Sequence, residues 1–474
     1  MVDYDVVVIG AGPTGENVAD RAVRGGLTAA VVESELVGGE CSYWACMPSK
    51  ALLRPPSVLA EARAVEGARQ AVNGTLDVAA VLRRRDGFVS HWRDDGQVQW
   101  LDSTGIALHR GYGRLTGPRE VAVTARDGTV TTLRARHAVV LATGSKPVLP
   151  DIPGLADADP WSSRDATSAQ EVPKRLAVLG GGVVGVEMAF AWHELGSDVT
   201  MLVRGGRLLA SMEPFAGERV AAGLTARNID VRLGTGLSEV RRDAGSGVLT
   251  LTLDGGGTVE ADELLVATGR RPATDEVGLE TVGLDPAKPV TVDAFSGVQG
   301  VDGDWLYAIG DANGEALLTH MGKYQGRACG DTIAARARGE NPPAIPWSPY
   351  TPTADRVAVT QVVFTHPEVA AVGLTEQAAR DAGLPVRAVE YAIGDVAGAG
   401  LFADGYDGHA KIVVDTERRV IVGCTLVGPQ VGEMLHAATV AVVGEVPLDR
   451  LWHAVPSYPT ISELWLRLLE TYGL

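Results

Sequence analysis

Apolar and polar positions repeat one pattern twice along the chain. In its first occurrence, an apolar run at residues 5–9 leads into a glycine triplet within residues 10–15, and a helix pattern follows over residues 16–25. A second apolar run, residues 28–33, ends at Glu33, 18 residues after the triplet. This order predicts a βαβ unit that holds a dinucleotide pyrophosphate at the helix N-terminus and a ribose hydroxyl at Glu33.

The second occurrence differs at the position that corresponds to Glu33. Another apolar run leads into a glycine triplet within residues 180–185, but Val203 stands 18 residues after it, followed by Arg204 and Arg207. An arginine fork suits a 2′-phosphate, and losing the carboxylate removes its repulsion against that dianion. The pattern therefore predicts NADPH rather than NADH. The alternative is a pair of surface arginines on a glycine turn.

Other apolar runs end in small-residue turns and suggest where domains meet. Strand-like runs within residues 138–145 and 264–272 each end in a turn, and the Pro-rich residues 146–153 resemble a linker. We predict an α/β fold with two Rossmann-like dinucleotide-binding domains and an α+β C-terminal dimerisation domain. The predicted divisions are residues 1–150, 151–273, 274–345 and 346–474.

Two helical segments carry further expectations. Residues 51–100 are predicted to be helical, with a solvated basic face at Arg83 to Arg85. A final helix over residues 461–472 places its leucines on one stripe, as expected for a core or interface helix.

Composition narrows the function classes. The chain has 474 residues, 46% of them apolar, which fits a globular protein of several domains. A net charge of −17 disfavours nucleic acids and anionic membranes as partners. No apolar run approaches the length of a bilayer span, and no secretion signal is evident at the start. With only four cysteines, the chain is expected to be cytoplasmic.

The stretch from Gly38 to Lys50 carries the candidate chemistry. It contains Cys41 and Cys46, with Gly39 ahead of them and Pro48 behind. A regular helix would separate the two cysteines by roughly 7.5 Å along its axis, so a bridge between them needs an irregular turn. Two buried cysteines or half of a metal site are the alternatives. A zinc site needs about four ligands, and no second pair has suitable spacing, so we predict a redox-active pair and no metal site.

This stretch, Gly-Gly-x-Cys-x4-Cys-x-Pro-Ser-Lys, resembles the active-site segment of the flavin-dependent disulfide oxidoreductases. That family includes dihydrolipoamide dehydrogenase, glutathione reductase and mercuric reductase, and the resemblance covers nearly the whole chain. It implies FAD in the first nucleotide fold, Cys46 as the flavin-side thiol and Cys41 as the attacking thiol. It also implies that Lys50 and Glu187 pair beside the flavin and that the enzyme is a homodimer.

The resemblance and the motifs together define the candidate site. The predicted catalytic residues are Cys41, Cys46, Lys50, Glu187, Tyr458 and Glu463. The predicted cofactor-binding residues are Gly10, Gly12, Pro13, Gly15, Glu33, Gly39, Gly113, Ala142, Thr143, Gly144, Gly180, Gly182, Gly185, Arg204, Arg207, Gly269, Arg270, Gly310, Asp311, Leu318 and Thr319.

The chain departs from the family pattern at two places. Tyr458 stands where the disulfide reductases usually carry a histidine base, and a phenol of pKa near 10 relays protons poorly at neutral pH. Mercuric reductases also carry tyrosine there, but the resemblance is not expected to extend to their C-terminal cysteine pair or their N-terminal metal-binding domain. His453 is a possible substitute, although a structural role is expected for it. The bulky Tyr43 and Trp44 could narrow access to the cysteines or form a platform for a planar substrate.

The sequence thus predicts an NADPH-dependent, FAD-containing disulfide oxidoreductase. Electrons would pass from NADPH through FAD and the Cys41–Cys46 disulfide to an external disulfide or soft metal. One alternative is a reductase that acts on quinones or dyes directly from the flavin. The other is a flavoprotein without turnover, acting as a docking subunit or redox sensor.

Overall fold

The computed structural model describes all 474 residues. The strands, numbered in chain order, are β1 Val2–Ile9, β2 Ala29–Glu33, β3 Ala107–Arg110, β4 Tyr112–Gly117, β5 Glu120–Thr124, β6 Val130–Leu141, β7 Ser145–Pro147, β8 Arg175–Leu179, β9 Asp198–Val203, β10 Asp230–Leu233, β11 Leu237–Arg242, β12 Leu249–Leu253, β13 Thr258–Ala261, β14 Glu263–Val266, β15 Arg270–Pro272, β16 Leu306–Ala308, β17 Thr360–Val363, β18 Glu368–Gly373, β19 Val386–Ala392, β20 His409–Asp415 and β21 Val420–Gly428. The helices are α1 Pro13–Arg24, α2 Gly39–Tyr43, α3 Cys46–Arg63, α4 Ala68–Ala71, α5 Val78–Phe88, α6 Asp95–Thr104, α7 Ser163–Ser168, α8 Val183–Glu194, α9 Pro214–Thr225, α10 Thr319–Ala337, α11 Ala354–Val357, α12 Glu376–Asp381, α13 Ala397–Phe402, α14 Val431–Val443, α15 Leu448–Leu451 and α16 Leu464–Tyr472.

The chain forms two compact units, each assembled from three segments. The first unit contains residues 1–48, 86–147 and 270–355, and the second contains residues 49–85, 148–269 and 356–474. The finer division into four segments stays a prediction.

A seven-stranded sheet forms the centre of the first unit. Its order is β3-β2-β1-β6-β5-β4, and β16 pairs with β6. Strand β1 lies parallel to β2 and β6. Parallel strands that are covered on both faces need continuous apolar runs, which explains why residues 6–9 are all buried.

Helices α1 and α10 of the first unit pack unusually closely. A Cβ atom placed on Gly326 would lie 2.8 Å from the carbonyl oxygen of Thr14, and one on Gly330 would lie 2.5 Å from the Cβ of Arg21. Glycines on α10 therefore let the two helix backbones approach each other. Helix α1 begins at Pro13, three residues before the predicted start, because proline suits the first helical position.

The second unit contains a parallel sheet of order β10-β9-β8-β14 and an antiparallel sheet of order β17-β18-β21-β20-β19. Helix α8 is apolar over residues 183–192 except for Glu187, and residues 185–192 are all buried. A helix of that kind belongs in a core. The predicted final helix begins with a 3₁₀ turn, Ile461–Glu463, before α16, whose Leu464 and Leu468 are fully buried.

These sheets and helices confirm the predicted α/β fold class. None of the helices combines the length and apolar character that crossing a bilayer would require.

The prediction of a solvated basic face at residues 83–85 was wrong for Arg85. Its side chain is fully buried, and the guanidinium donates hydrogen bonds to the carbonyl oxygens of Thr167, at 2.5 Å, and Ala169, at 2.9 Å. A buried arginine that satisfies backbone carbonyls escapes the usual cost of burying a charge. No local sequence feature distinguishes Arg85 from the exposed Arg83.

We expect Arg85→Met to destabilise the second unit because it leaves two buried carbonyl groups without donors. Each lost charge-assisted hydrogen bond costs about 1.5–3 kcal/mol, so the melting temperature should fall by roughly 5–10 °C. The measurement is a thermal melt followed by circular dichroism. The exposed Arg83→Met is the matched control and should melt within about 1 °C of the parent; equal melting of the two variants would contradict the assignment.

Candidate active site

The two cysteines lie on either side of a helix break. Cys41 belongs to the short helix α2, and Cys46 is the first residue of α3. Gly38 starts the turn with a φ of 107°, a conformation that disfavours side chains, and its N–H donates to the carbonyl oxygen of Ala11 at 2.8 Å. The irregular turn expected from the spacing of the cysteines is therefore present.

The cysteines and Thr319 form one cluster in the first unit. The Sγ of Cys46 lies 3.1 Å from the Oγ1 of Thr319, the first residue of α10. No disulfide joins the two cysteines in this structure. A hydrogen bond to Cys46, together with burial, raises the pKa of Cys41, while a hydrogen bond to Thr319 opposes that rise. The predicted redox residues and one predicted cofactor residue thus share a hydrogen-bond network.

The aromatic residues between the cysteines have different roles. Tyr43 is buried, and its hydroxyl donates to the carbonyl oxygen of Val37 at 3.0 Å. Burial raises its pKa to about 12. The half-buried Trp44 packs edge-on against it at 5.6 Å between ring centroids. Tyr43 is consequently a packing residue of the loop, which leaves Trp44 as the aromatic that can meet a substrate.

The first glycine loop fits a dinucleotide. A Cβ atom on Gly10 would lie 2.3 Å from the carbonyl oxygen of Ala142, and one on Gly39 would lie 2.8 Å from the Cα of Gly12. Gly12 caps α1 without any side-chain hydrogen bond, so the amides of the first turn remain available to a phosphate. The hydroxyl of Thr143 is buried without a partner. The loop therefore suits FAD.

Glu33 lies at the end of β2, where the sequence places a ribose contact. One carboxylate oxygen accepts the N–H of Ala11 at 2.9 Å, and the other accepts the N–H of Glu35 at 2.8 Å. Burial raises the pKa of Glu33. The two backbone bonds fix the carboxylate beside the glycine loop.

The predicted second flavin motif is held together by Arg270, a predicted cofactor residue, and by Ser145 and Glu40, which are not among the predicted site residues. The carboxylate of Asp311 accepts the hydroxyl of Ser145 at 2.5 Å, and burial raises the pKa of Asp311. Arg270 donates to that same hydroxyl and to the carbonyl oxygen of Ser145, both at 2.8 Å. Its guanidinium also lies 3.6 Å from the carboxylate of Glu40, in the cysteine loop. Arg270 therefore belongs to the first unit.

Lys50 and Glu187 form an ion pair in the second unit. The Nζ of Lys50 lies 2.8 Å from one carboxylate oxygen of Glu187, and the other oxygen accepts the N–H of Phe364 at 3.0 Å. The ammonium also lies 5.0 Å above the ring of Phe364. Glu187 is the fifth residue of α8 and lies in its second turn.

The second glycine loop repeats the first at the backbone level. A Cβ atom on Gly180 would lie 2.3 Å from the carbonyl oxygen of Ala267, and Gly182 caps α8 without a side chain. Val203 ends β9 beside this loop, since a Cβ atom on Gly181 would lie 2.8 Å from its Cγ1. Val203 thus occupies the place that Glu33 occupies in the first fold.

The two arginines after β9 differ. Arg204 is exposed and makes no ion pair, whereas Arg207 donates to the carbonyl oxygen of Ala210 at 2.6 Å. Arg207 thereby shapes the loop, and Arg204 is the arginine available to an anion.

The remaining predicted cofactor residues lie at turns or element ends. Pro13 is the first residue of α1, Gly113 lies on β4, Leu318 precedes α10, and Gly15 and Gly185 pack against the first glycines of their loops. Gly144, Gly269 and Gly310 have positive φ angles of 72°, 136° and 63°.

The C-terminal catalytic candidates lie in the second unit. Tyr458 is 76% exposed, and His453 is exposed as well. The carboxylate of Glu463 is buried and accepts the guanidinium of Arg467 at 2.5 Å, one helical turn later. Glu463 therefore has a local partner of its own.

The sequence matches models of one protein family over most of its length. Residues 4–326 match the family described as pyridine nucleotide-disulphide oxidoreductase, and residues 359–468 match the dimerisation domain of that family. The resemblance drawn from the motifs is confirmed.

Two related proteins and one solved structure are consistent with this family match. The dihydrolipoyl dehydrogenase of Chlamydia trachomatis is 32% identical over 98% of this chain and 95% of its own length. The mercuric reductase of Staphylococcus aureus is 29% identical over 97% of this chain and 81% of its own length. The Cu(II) complex of the HOCl-induced flavoprotein disulfide reductase RclA of Escherichia coli shares the fold, with a TM-score of 0.83, 22% identity and 99% coverage of both chains.

We expect Gly10→Ala to abolish dinucleotide binding by the first unit, because the new Cβ would collide with the carbonyl oxygen of Ala142. The measurement is the ratio of flavin to protein absorbance after purification. Gly26→Ala is the control, because Gly26 also has a positive φ, 89°, but a Cβ atom placed on it would have no other atom within 4 Å. Flavin retention in Gly10→Ala, or equal loss in both variants, would contradict the steric argument.

Proposed function

The chain belongs to the pyridine nucleotide-disulphide oxidoreductase family, and we propose that it is an NADPH-dependent member that delivers electrons through Cys41 and Cys46 to an external acceptor. Members of the family are FAD-dependent oxidoreductases that use a pyridine nucleotide and act on sulfur groups. The observation that carries the proposal is the hydrogen-bonded cluster of the two cysteines with Thr319.

Different residues of the chain bind the cofactor and supply charge beside it. FAD, when bound, would accept two electrons from the nicotinamide and transfer them to the disulfide. The first glycine loop and Glu33 hold the dinucleotide, and Asp311 is placed to bind a hydroxyl through the carboxylate that Ser145 and Arg270 orient. Lys50 supplies a cation whose position Glu187 fixes.

The acceptor that best suits these residues requires no proton from the enzyme. Tyr458 stands in place of a histidine base, and Glu463 is held by Arg467. Two thiolates can reduce a divalent thiophilic metal ion to the metal while forming one disulfide, and this reaction consumes no proton. A disulfide whose leaving thiol is acidic is also suitable, since the thiol leaves as an anion. Mercuric reductase among the relatives supports a soft metal acceptor.

Two neighbouring residues support the proposal of NADPH: Val203 replaces the carboxylate of the first fold, and Arg204 follows it with a positive charge. In the first fold the N–H of Ala11 donates to Glu33, whereas the corresponding Gly181 faces the methyl groups of Val203 and Leu208. A 2′-phosphate would meet no carboxylate at that strand end, and the exposed guanidinium of Arg204 follows directly.

We expect Arg204→Ala to lower kcat/KM for NADPH about 10- to 100-fold, the equivalent of one charge-assisted contact of roughly 1.5–3 kcal/mol. The kcat/KM for NADH should change less than about threefold, because NADH lacks the phosphate. The measurement is steady-state oxidation of each nucleotide with the same acceptor.

Arg232→Ala is the control for this change. Arg232 is a half-buried arginine on the neighbouring strand β10, and it pairs with Asp230 at 2.7 Å. Its removal should leave the preference for NADPH unaltered. A parent enzyme that prefers NADH, or equal losses for both nucleotides in Arg204→Ala, would overturn the proposed specificity.

We expect Cys41→Ser and Cys46→Ser each to eliminate reduction of Hg(II) and of an aromatic disulfide, because each removes one sulfur of the redox pair. Reduction of a quinone should persist in both variants. The buried Cys329→Ala is the control and should keep all activities. Survival of Hg(II) and disulfide reduction in the serine variants would show that electrons leave directly from the flavin, as in the alternative quinone or dye reductase.

We also propose that the protein is a homodimer and works in the reducing cytoplasm. Residues 359–468 match a dimerisation domain, and large apolar side chains are exposed there at Val440, Trp452 and Val455. Cys329 and Cys424 are buried thiols, as suits a reducing compartment.

A further inference from the structure

The second unit contains a cavity of about 700 Å³ that is lined by none of the predicted catalytic or cofactor-binding residues. Its walls come mainly from the C-terminal end of α3, one face of α9, residues 366–367 and the loop of residues 402–407. Small-molecule sites in proteins commonly have volumes of about 300–1,000 Å³. The size of the cavity therefore suits an organic ligand.

The 402–407 loop is fastened to two of the neighbouring walls. The N–H of Asp404 donates to the carbonyl oxygen of Ala64, just after α3, at 2.8 Å. The carboxylate of Asp407 accepts the guanidinium of Arg219, on α9, at 2.6 Å. These contacts hold the walls apart at a fixed separation, so the cavity is formed before any ligand arrives.

The interior surface is largely apolar and partly aromatic. Ala222 and Ala226 lie one helical turn apart at the end of α9, and both are exposed. The rings of Phe402 and Tyr406 pack edge-on, with 6.0 Å between their centroids. The hydroxyl of Tyr406 donates to the carbonyl oxygen of Pro429 at 2.9 Å, so the ring itself faces the cavity. This surface suits a flat aromatic ring.

One carboxylate at the cavity has no cation beside it. Three of the four lining carboxylates already pair with an arginine, namely those of Glu61, Asp404 and Asp407. The fourth belongs to Glu218, which is exposed, precedes Ala222 by one turn of α9 and makes no ion pair. Together with the net charge of −17, this free carboxylate favours a cationic ligand over an anionic one.

His366 supplies a neutral polar group to the same cavity. Its carbonyl oxygen accepts the guanidinium of Arg227 at 3.2 Å, and its ring forms no hydrogen bond with another residue. Burial lowers the pKa of His366 to about 4, so the ring is neutral at pH 7. One nitrogen of a neutral imidazole is a donor and the other an acceptor. The ring can therefore accept an N–H group of a ligand.

We propose that this cavity binds an arylalkylamine, a molecule with a flat N–H-bearing aromatic ring and an alkylammonium group. The ring packs between the alanines of α9 and the aromatic side chains of the 402–407 loop. Its N–H donates to the imidazole of His366, and the ammonium pairs with Glu218. The proposal rests on contacts within the second unit and is independent of the proposed electron transfer.

The experiment is a titration of the flavin-loaded protein with tryptamine, followed by saturation-transfer NMR of the ligand. We expect a Kd of about 0.1–1 mM, as for a ligand of fragment size. Tryptophol, in which a hydroxyl replaces the ammonium, should bind about 2- to 5-fold more weakly, and the anionic indole-3-propionate more weakly still. 1-Methyltryptamine lacks the ring N–H and should lose about 2- to 10-fold.

Four variants locate the binding site. Ala222→Trp fills the cavity and should abolish binding of every probe, whereas Thr225→Trp, at an exposed position of α9 outside the cavity, should bind as the parent does. Glu218→Gln should lower the affinity for tryptamine to that for tryptophol and leave tryptophol binding unchanged. Glu171→Gln is its matched control, because Glu171 is an exposed glutamate without an ion pair elsewhere in the second unit.

Absence of saturation transfer to tryptamine would overturn the proposal, and so would undiminished binding in Ala222→Trp. Equal binding of tryptamine and tryptophol by the parent would refute the pairing of the ammonium with Glu218. Thermal melts should show both tryptophan variants folded, since each replaces an exposed side chain. The titration uses neither nucleotide nor acceptor, so failure of the proposed electron transfer would leave its result intact.

Discussion

The close approach of a glycine to a strand-end carbonyl is the constraint on which both nucleotide folds depend. Gly10 meets the carbonyl oxygen of Ala142, and Gly180 meets that of Ala267, each at a distance that excludes a Cβ atom. Because the first glycine lies this close, the loop can turn sharply enough to aim the following helix N-terminus at a phosphate. The uncapped starts of both helices, at Gly12 and Gly182, follow from this arrangement.

The contrast between the two folds then depends on one side chain at the end of the second strand. Glu33 is held by two backbone N–H groups, so its carboxylate points at the loop as a fixed acceptor. Val203 has the same place but presents methyl groups, and the charge of that strand end comes from Arg204. The two folds thus share one backbone geometry at the glycine loop and differ in charge at this strand end.

Features that depend on spacing along the chain could be predicted from the sequence. The glycine triplets, the position of Glu33 relative to Gly15 and the irregular turn between the cysteines all follow from local chain geometry. The pairing of Lys50 with Glu187, across 137 residues, was available only through family resemblance.

Features that depend on distant backbone groups left no local signal. Arg85 looks like its exposed neighbours, because its partners are carbonyls about 80 residues away. Nothing in the local sequence distinguishes Ser145 or Glu40, because both join the site only through their contacts with Arg270. Phe364 likewise joins the site only through the packing of elements that are far apart in the chain.

Glu187 has a consequence that extends beyond its ion pair. One oxygen holds Lys50, and the other accepts the backbone N–H of Phe364, which lies within residues 359–468, the part that matches the dimerisation domain. A shift of that segment would pull on the carboxylate and redistribute its charge between the amide and the ammonium. Any movement of Phe364 would therefore also move the carboxylate that holds Lys50.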